Sequence, residues 1–328
     1  MRVLAAVDKF RGTATASEVA AAIGNACWDL GHDCDEAPLA DGGEGTLEVL
    51  GGANRTTTVD GPLGTPVEAG WRMQGRTAII EMARASGLLL AGGAEKNDPV
   101  AASTRGTGQL IAAALTAGAR RIIVCLGGSA TTDGGLGAVQ ALPSPARLRG
   151  VELLVACDVT TPFTDAARVF GPQKGATPLQ VELLTKRLQA LAGQYRSDFG
   201  VDVLALPGAG AAGGLAGALA ALGGSLVPGF DLVADEVNLH ERVDAADLVV
   251  TGEGYLDAQS FEGKVVGGVL HLTAMAHRDT AVVVGGGDDE QAAAVGAIRL
   301  VERFGEADAF GRTTWCIEQV VRSLLSGR

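Results

Sequence analysis

The chain is 328 residues long, 47% apolar and 20% charged, with 48 glycines and few aromatics. That composition excludes a disordered polymer and suits one large or two medium domains with cores of their own. A formal charge of −12 argues against nucleic acid and anionic membrane as partners, since both attract basic surfaces, and leaves an anionic substrate only a local electropositive pocket.

Along the chain, apolar runs of the buried-strand type alternate with helical patterns. Residues 1–7 are too short an apolar run for a signal sequence and meet Asp8 at once. Residues 2–7 read as a strand and 17–30 as an amphipathic helix, with Thr15 or Ser17 as N-cap and Gly31 just past its end. Residues 55–71 form two extended pieces around GPLG (61–64), where the chain is expected to cross between domains. A strand at 77–82 and a helix at 106–117 follow, the helix stopping at Gly118. Short strands are expected at 121–125, 151–156, 248–251 and 281–285, and a terminal helix at 314–325. Residues 207–230 carry no charge and are long enough to span a bilayer. Their scattered glycines and Pro228 favour a Gly/Ala loop and a buried helix. The alternation implies an α/β fold with mostly parallel strands, in which ligands sit outside the carboxyl ends of the strands. Five scattered cysteines (Cys27, Cys34, Cys125, Cys157, Cys316) form no CxxC pair and read as the reduced thiols of a cytoplasmic protein.

Glycine-and-acid turns fall at those strand ends: Asp8, Gly127-Gly128, Asp158 and Gly252-Glu253-Gly254. The stretch LGGSATTDGGLG (126–137) sheds its large side chains but keeps Ser129, Thr131 and Asp133. Either it is a turn that only glycine permits, or bare N–H groups and hydroxyls there hold something anionic. In LADGGEGTLEVL (39–50), Asp41 and Glu44 flank paired glycines. Such acids complement a helix dipole, bind magnesium, or take a hydroxyl proton. TGEGYLDAQSFEGK (251–264) sets Glu253, Asp257 and Lys264 among glycines, and VFGPQKGAT (169–177) presents Lys174 on another turn. Carboxylates and lysines at this density share one chemical use, a phosphate with a divalent ion. A Walker-type GxxxxGK[ST] loop is absent. GAGAAG (208–213) formally matches a dinucleotide fingerprint after the run 201–206, which keeps a nicotinamide- or flavin-dependent oxidoreductase as an alternative. The four histidines lie outside these motifs, and Trp28, Trp71 and Trp315 read as core or domain-edge residues.

In order, ADGGEGT (40–46), GPLG, IEMARASGL (80–88), GGSATTDGG (127–135), ACDV (156–159), FGPQKGAT (170–177), GAGAAGGL (208–215) and TGEGYLDAQSFEGK resemble the bacterial glycerate kinase family, the ATP-dependent class that forms 2-phosphoglycerate. The resemblance spans nearly the whole chain. It implies two α/β domains with a cleft between them: a flavodoxin-like one built from 1–64 plus 240–328, and an inserted one at 65–239. It also implies phosphorylation of D-glycerate at the 2-hydroxyl, with ATP and Mg²⁺.

Residue by residue, Lys9, Arg11, Lys174 and Lys264 become candidates for the substrate carboxylate and the phosphates, and Arg11 is also placed with the catalytic acids. Asp41, Asp133 and Asp158 are candidates for taking the hydroxyl proton, and Asp41 and Asp158 for holding Mg²⁺. Asp8, Gly42, Gly43, Gly127, Gly128, Ser129, Thr131, Glu253 and Asp257 complete the expected binding set. The chain departs from the family pattern at Lys9 and Arg11 in VDKFRGT (7–13), at Asn97-Asp98-Pro99 where an arginine is usual, and at Thr132. It is also shorter between Gly137 and Val151. These changes bear on substrate preference more than on fold. A non-catalytic acid-binding or regulatory protein on the same fold is the rival reading.

Overall fold

The computed structural model describes residues 1–10 and 12–327. In chain order its strands are β1 (Arg2–Val7), β2 (Asp33–Pro38), β3 (Arg55–Asp60), β4 (Pro66–Gln74), β5 (Thr77–Glu81), β6 (Arg121–Cys125), β7 (Glu152–Ala156), β8 (Ser225–Val227), β9 (Leu248–Leu256), β10 (Asp279–Gly287) and β11 (Ile298–Arg299). They divide between two units, Met1–Asp41 with Gly229–Arg328, and Gly42–Pro228.

In the first unit the order is β2-β1-β9-β10-β11, all parallel. Counted within the unit this is 2-1-3-4-5, the flavodoxin-like arrangement, whose strand order reverses between β1 and β9. Val3 to Val7 are all buried, as expected of a parallel strand covered on both faces. The helix Ala16–Asp29 starts at Thr15, whose side chain and that of Glu18 cap one another's backbone N–H groups. It packs with the terminal helix Thr313–Ser326 over Val3, Ala5, Ile23, Ile317 and Val321.

The second sheet runs β3-β4-β5-β6-β7-β8, with β3 to β5 antiparallel and β5 to β8 parallel. Its core gathers Trp71, Ile80, Met82, Leu110, Ile122, Val124 and Leu215. The helix Leu215–Ala221 is buried at every residue. Among the described residues, no helix is long and apolar enough to cross a membrane.

Several expectations shift. The first crossing between units falls at 41/42, not 64/65, because β3 and β4 form a hairpin through GPLG that sits on the second sheet. The second falls at 228/229, not 239/240, because the helix Gly229–Glu236 lays Phe230 against Gly268 of the first unit. Residues 201–206 form only a short turn at Val203–Ala205, so GAGAAG follows no strand and lacks the setting of a dinucleotide site. Gly213 has another reason to be glycine. Its φ is +68°, and a Cβ there would lie 2.0 Å from the Thr131 carbonyl oxygen. Of the tryptophans, Trp71 is buried, whereas Trp28 is 54% exposed.

Candidate functional site

In the first unit, chemistry collects where β1 and β9 lie side by side. The Asp8 N–H still donates to Gly252 O (3.0 Å), so its side chain stands at the carboxyl edge of the sheet, at the switch point. Its Oδ1 accepts from the Lys9 N–H at 2.7 Å. Burial pushes Asp8 up to about 6, and Asp41 pushes the same way; Lys9, that N–H and Lys264 oppose them. Glu253 is pushed up to about 7, first by burial and then by Asp8 and Asp257, against the Ser260 hydroxyl and Lys264. Its Oε1 is buried and has no hydrogen-bond partner among the described residues. Asp8, Lys9, Asp41, Glu253 and Lys264 therefore form one electrostatic cluster. The expectation that Gly252-Glu253-Gly254 follow a strand is corrected: β9 continues through Leu256, paired with the glycines of β10. Asp257 is occupied locally, capping the turn Ala258–Phe261 by accepting from the Ser260 N–H at 3.1 Å. Arg11 lies outside the described residues.

The second unit brings together the loops at 42–47, 81–88 and 126–137. Gly127 is glycine because the 43–44 backbone passes it closely: a Cβ would lie 2.8 Å from Gly43 Cα and 2.9 Å from the Glu44 nitrogen. Gly42 and Gly43 are thus set beside Gly127 and Gly128. Ser129 bridges to Gly87, and the Leu88 N–H donates to Gly128 O at 2.8 Å. Asp133 is 7% exposed. Its Oδ2 accepts from Thr104 N–H (2.8 Å), Thr104 Oγ1 (2.8 Å) and Gly137 N–H (3.2 Å), and its Oδ1 from Gly135 N–H (3.1 Å). That carboxylate fastens its own turn to the start of the helix Arg105–Thr116.

Lys174 faces inward, 2% exposed, and its Nζ donates to Thr131 O at 2.6 Å. Burial lowers its pKa to about 7, and the Asp133 charge holds it from falling further. Thr131 Oγ1 is buried without a partner among the described residues, as is Thr132 Oγ1. Asp158 follows β7 and acts on Cys157, whose thiol burial pushes up to about 11 with help from that carboxylate. Asp158 belongs to the second unit and Asp41 to the first. Among the described residues no group of three or more His, Cys, Asp or Glu side chains is arranged to hold a metal.

Sequence reasoning missed Glu81. Buried at the end of β5, its Oε1 accepts from the N–H groups of Gly45 and Leu47, both at 2.8 Å, and its Oε2 from Arg84 Nε at 3.2 Å. A carboxylate inside the apolar run IIEMA was the available signal. A hollow of about 490 Å³ in the second unit is lined by the GPLG turn with Asp60, Asp98, Ser103 and Arg105, and by none of the expected catalytic or binding residues.

Two α/β units, one with flavodoxin-like strand order, that place glycine turns, buried acids and lysines at strand carboxyl ends define a class of protein suited to an anionic small ligand. Comparison with known proteins narrows the class. The sequence profile of the "Glycerate kinase family" matches residues 3–145 and 143–324. The chain is 41% identical over 318 residues to the glycerate 2-kinase of Escherichia coli K12, covering 85% of this chain and 83% of that one. It is also 41% identical over 309 residues to the glycerate kinase of Bacillus subtilis 168, with 82% and 81% coverage. The crystal structure of a protein assigned as glycerate kinase 2 from Salmonella typhimurium LT2 superimposes with a TM-score of 0.82 at 34% identity, over 100% of this chain and 98% of that one. The chain belongs to the glycerate kinase family.

Proposed function

We propose that the protein is an ATP-dependent kinase that phosphorylates D-glycerate on its 2-hydroxyl, and that it works in the cytoplasm. The 41% identity to the E. coli glycerate 2-kinase over most of both chains carries this reading. In the reaction the substrate hydroxyl oxygen bonds to the γ-phosphorus, the bond from that phosphorus to the ADP oxygen breaks, and the hydroxyl proton passes to a carboxylate. Such a transfer needs positioning and charge neutralisation more than covalent chemistry.

Lys9 and Lys264 supply positive charge for the phosphates or the glycerate carboxylate. Asp41 and Asp158 are the candidate proton acceptors. Asp133 is not retained in that role, because both of its oxygens already accept from the surrounding turn. Mg²⁺ commonly takes one or two carboxylates and completes its shell with water and phosphate oxygens. Asp8 and Asp41, whose carboxylates act on one another, would supply them. When bound, the ion neutralises phosphate charge.

The test is a coupled assay in which ADP forms only when D-glycerate, ATP and Mg²⁺ are all present, with 2- and 3-phosphoglycerate resolved in the product. No turnover across glycerate and related hydroxy acids would overturn the proposal in favour of a non-catalytic binding protein.

A further inference from the structure

We propose that Lys174 is a positioning residue that holds the turn at 130–133 from inside the protein, and that it contacts neither phosphate nor substrate. A lysine on a Gly-Pro-Gln-Lys-Gly turn looks like a phosphate contact, since an ammonium on a flexible stem usually reaches for solvent or ligand. Here the stem runs the other way. The side chain is 2% exposed and its Nζ ends 2.6 Å from the Thr131 carbonyl oxygen. The same residue is tied by its backbone: Asn97 Nδ2 donates to Lys174 O at 2.9 Å and to Ala130 O at 3.0 Å. Three separate segments, at 97, 130–131 and 174, are therefore linked through one asparagine and one lysine.

The threonine hydroxyls of the turn do not share this task, since Thr131 Oγ1 and Thr132 Oγ1 lack partners among the described residues. On one side Lys174 Nζ donates to the main chain of the turn; on the other the Asp133 carboxylate accepts from the Gly137 N–H and from the Thr104 hydroxyl, which in turn accepts from the Ala138 N–H. Without the ammonium, a buried carbonyl loses its donor and the turn gains freedom. Asn97 takes on this structural role at the very place where the family usually carries an arginine.

The experiment has two arms. In the wild-type protein, reductive methylation read by mass spectrometry should modify the exposed Lys96 and Lys186 and leave Lys174 unmodified, with or without ATP and glycerate. Ready methylation of Lys174 in the free protein and protection by ATP would overturn the proposal. In Lys174→Met, hydrogen exchange should rise in peptides covering 126–137. The turnover number should fall by up to about a hundredfold, the scale of a small misplacement, with both KM values kept within about threefold. An ATP KM raised about tenfold or more with unchanged exchange at 126–137 marks a ligand contact and defeats the idea. Only the kinetic measurement rests on the proposed kinase activity. If that activity is wrong, the wild type itself shows no turnover, while methylation and exchange still report on Lys174.

Discussion

At the scale of single residues, buried charge divides into groups already engaged by the fold and groups left with capacity. Asp133 and Lys174 spend their hydrogen bonds on neighbouring backbone. Glu253 Oε1 has no partner among the described residues. Asp41 is half-buried, precedes Gly42-Gly43 and has only the four-residue helix Thr46–Val49 after it. So short a helix offers little dipole for an acid to complement. If Asp41 holds Mg²⁺ or takes the hydroxyl proton, Asp41→Asn keeps shape and removes charge. Turnover should then fall by about a hundredfold to ten-thousandfold with the melting temperature nearly unchanged. Turnover close to wild type would take Asp41 out of the site.

Lys174 also carries a pH signature. Its pKa falls from 10.5 in the open chain to about 7 in the fold, so between those values the unfolded chain binds more protons than the native one. The stability linked to this group is present above the open-chain value and is lost as the pH falls through about 7. Lys174→Met has no such group. The wild type should therefore gain in melting temperature relative to the variant as the pH rises from about 7 to about 10. A difference that stays constant across that range would contradict the inward placement of the ammonium.

Among elements, the common device is a bare glycine loop fastened by a carboxylate from a neighbouring segment. Glu81, at the end of β5, receives the N–H groups of Gly45 and Leu47 and so seats the loop at 42–47. Asp133 works from within its own glycine turn, tying it to the start of the helix Arg105–Thr116 by taking both donors of Thr104. Glycine loops have no side chains to pack, so their geometry has to be imposed by such external acceptors. Glu81→Ala strips two buried N–H groups of their acceptor. It should destabilise the protein by about 2–4 kcal/mol, read as a lower denaturation midpoint with an unchanged m-value. It should also weaken activity through the displaced loop. A midpoint equal to wild type would show that the loop is held by something else.

For the molecule as a whole, the two units are unequal in connectivity. The unit Gly42–Pro228 is one continuous stretch with a six-stranded sheet and its own apolar core. The other unit needs both chain ends, because β1 lies between β2 and β9. Expressed alone, residues 42–228 should melt in one cooperative transition, whereas residues 1–41, holding only two strands and a helix, should not. Absence of a cooperative transition in the 42–228 fragment, followed by far-ultraviolet circular dichroism, would refute the division.

The alternation of apolar runs with helical patterns was enough, by itself, to establish an α/β protein with mostly parallel strands, because a strand buried on both faces leaves an uninterrupted apolar signature. Local chemistry was legible in part: the helix start was placed at Thr15 or Ser17, and the structure puts the cap at Thr15 with Glu18, while the charge-free 207–230 segment, broken by glycines, contains a buried helix. The ordered glycine motifs resemble the family on their own. Tertiary structure alone decided where each charged side chain turns. Lys174 and Asp133 sit on glycine turns that look ligand-facing in sequence, yet one reaches the Thr131 carbonyl and the other Thr104. Glu81 was hidden within an apolar strand because its partners, Gly45 and Leu47, lie 34 to 36 positions away. The crossing points moved for the same reason. Strand pairing and burial are set by contacts between distant segments, and local sequence carries no term for a partner that only the fold brings near.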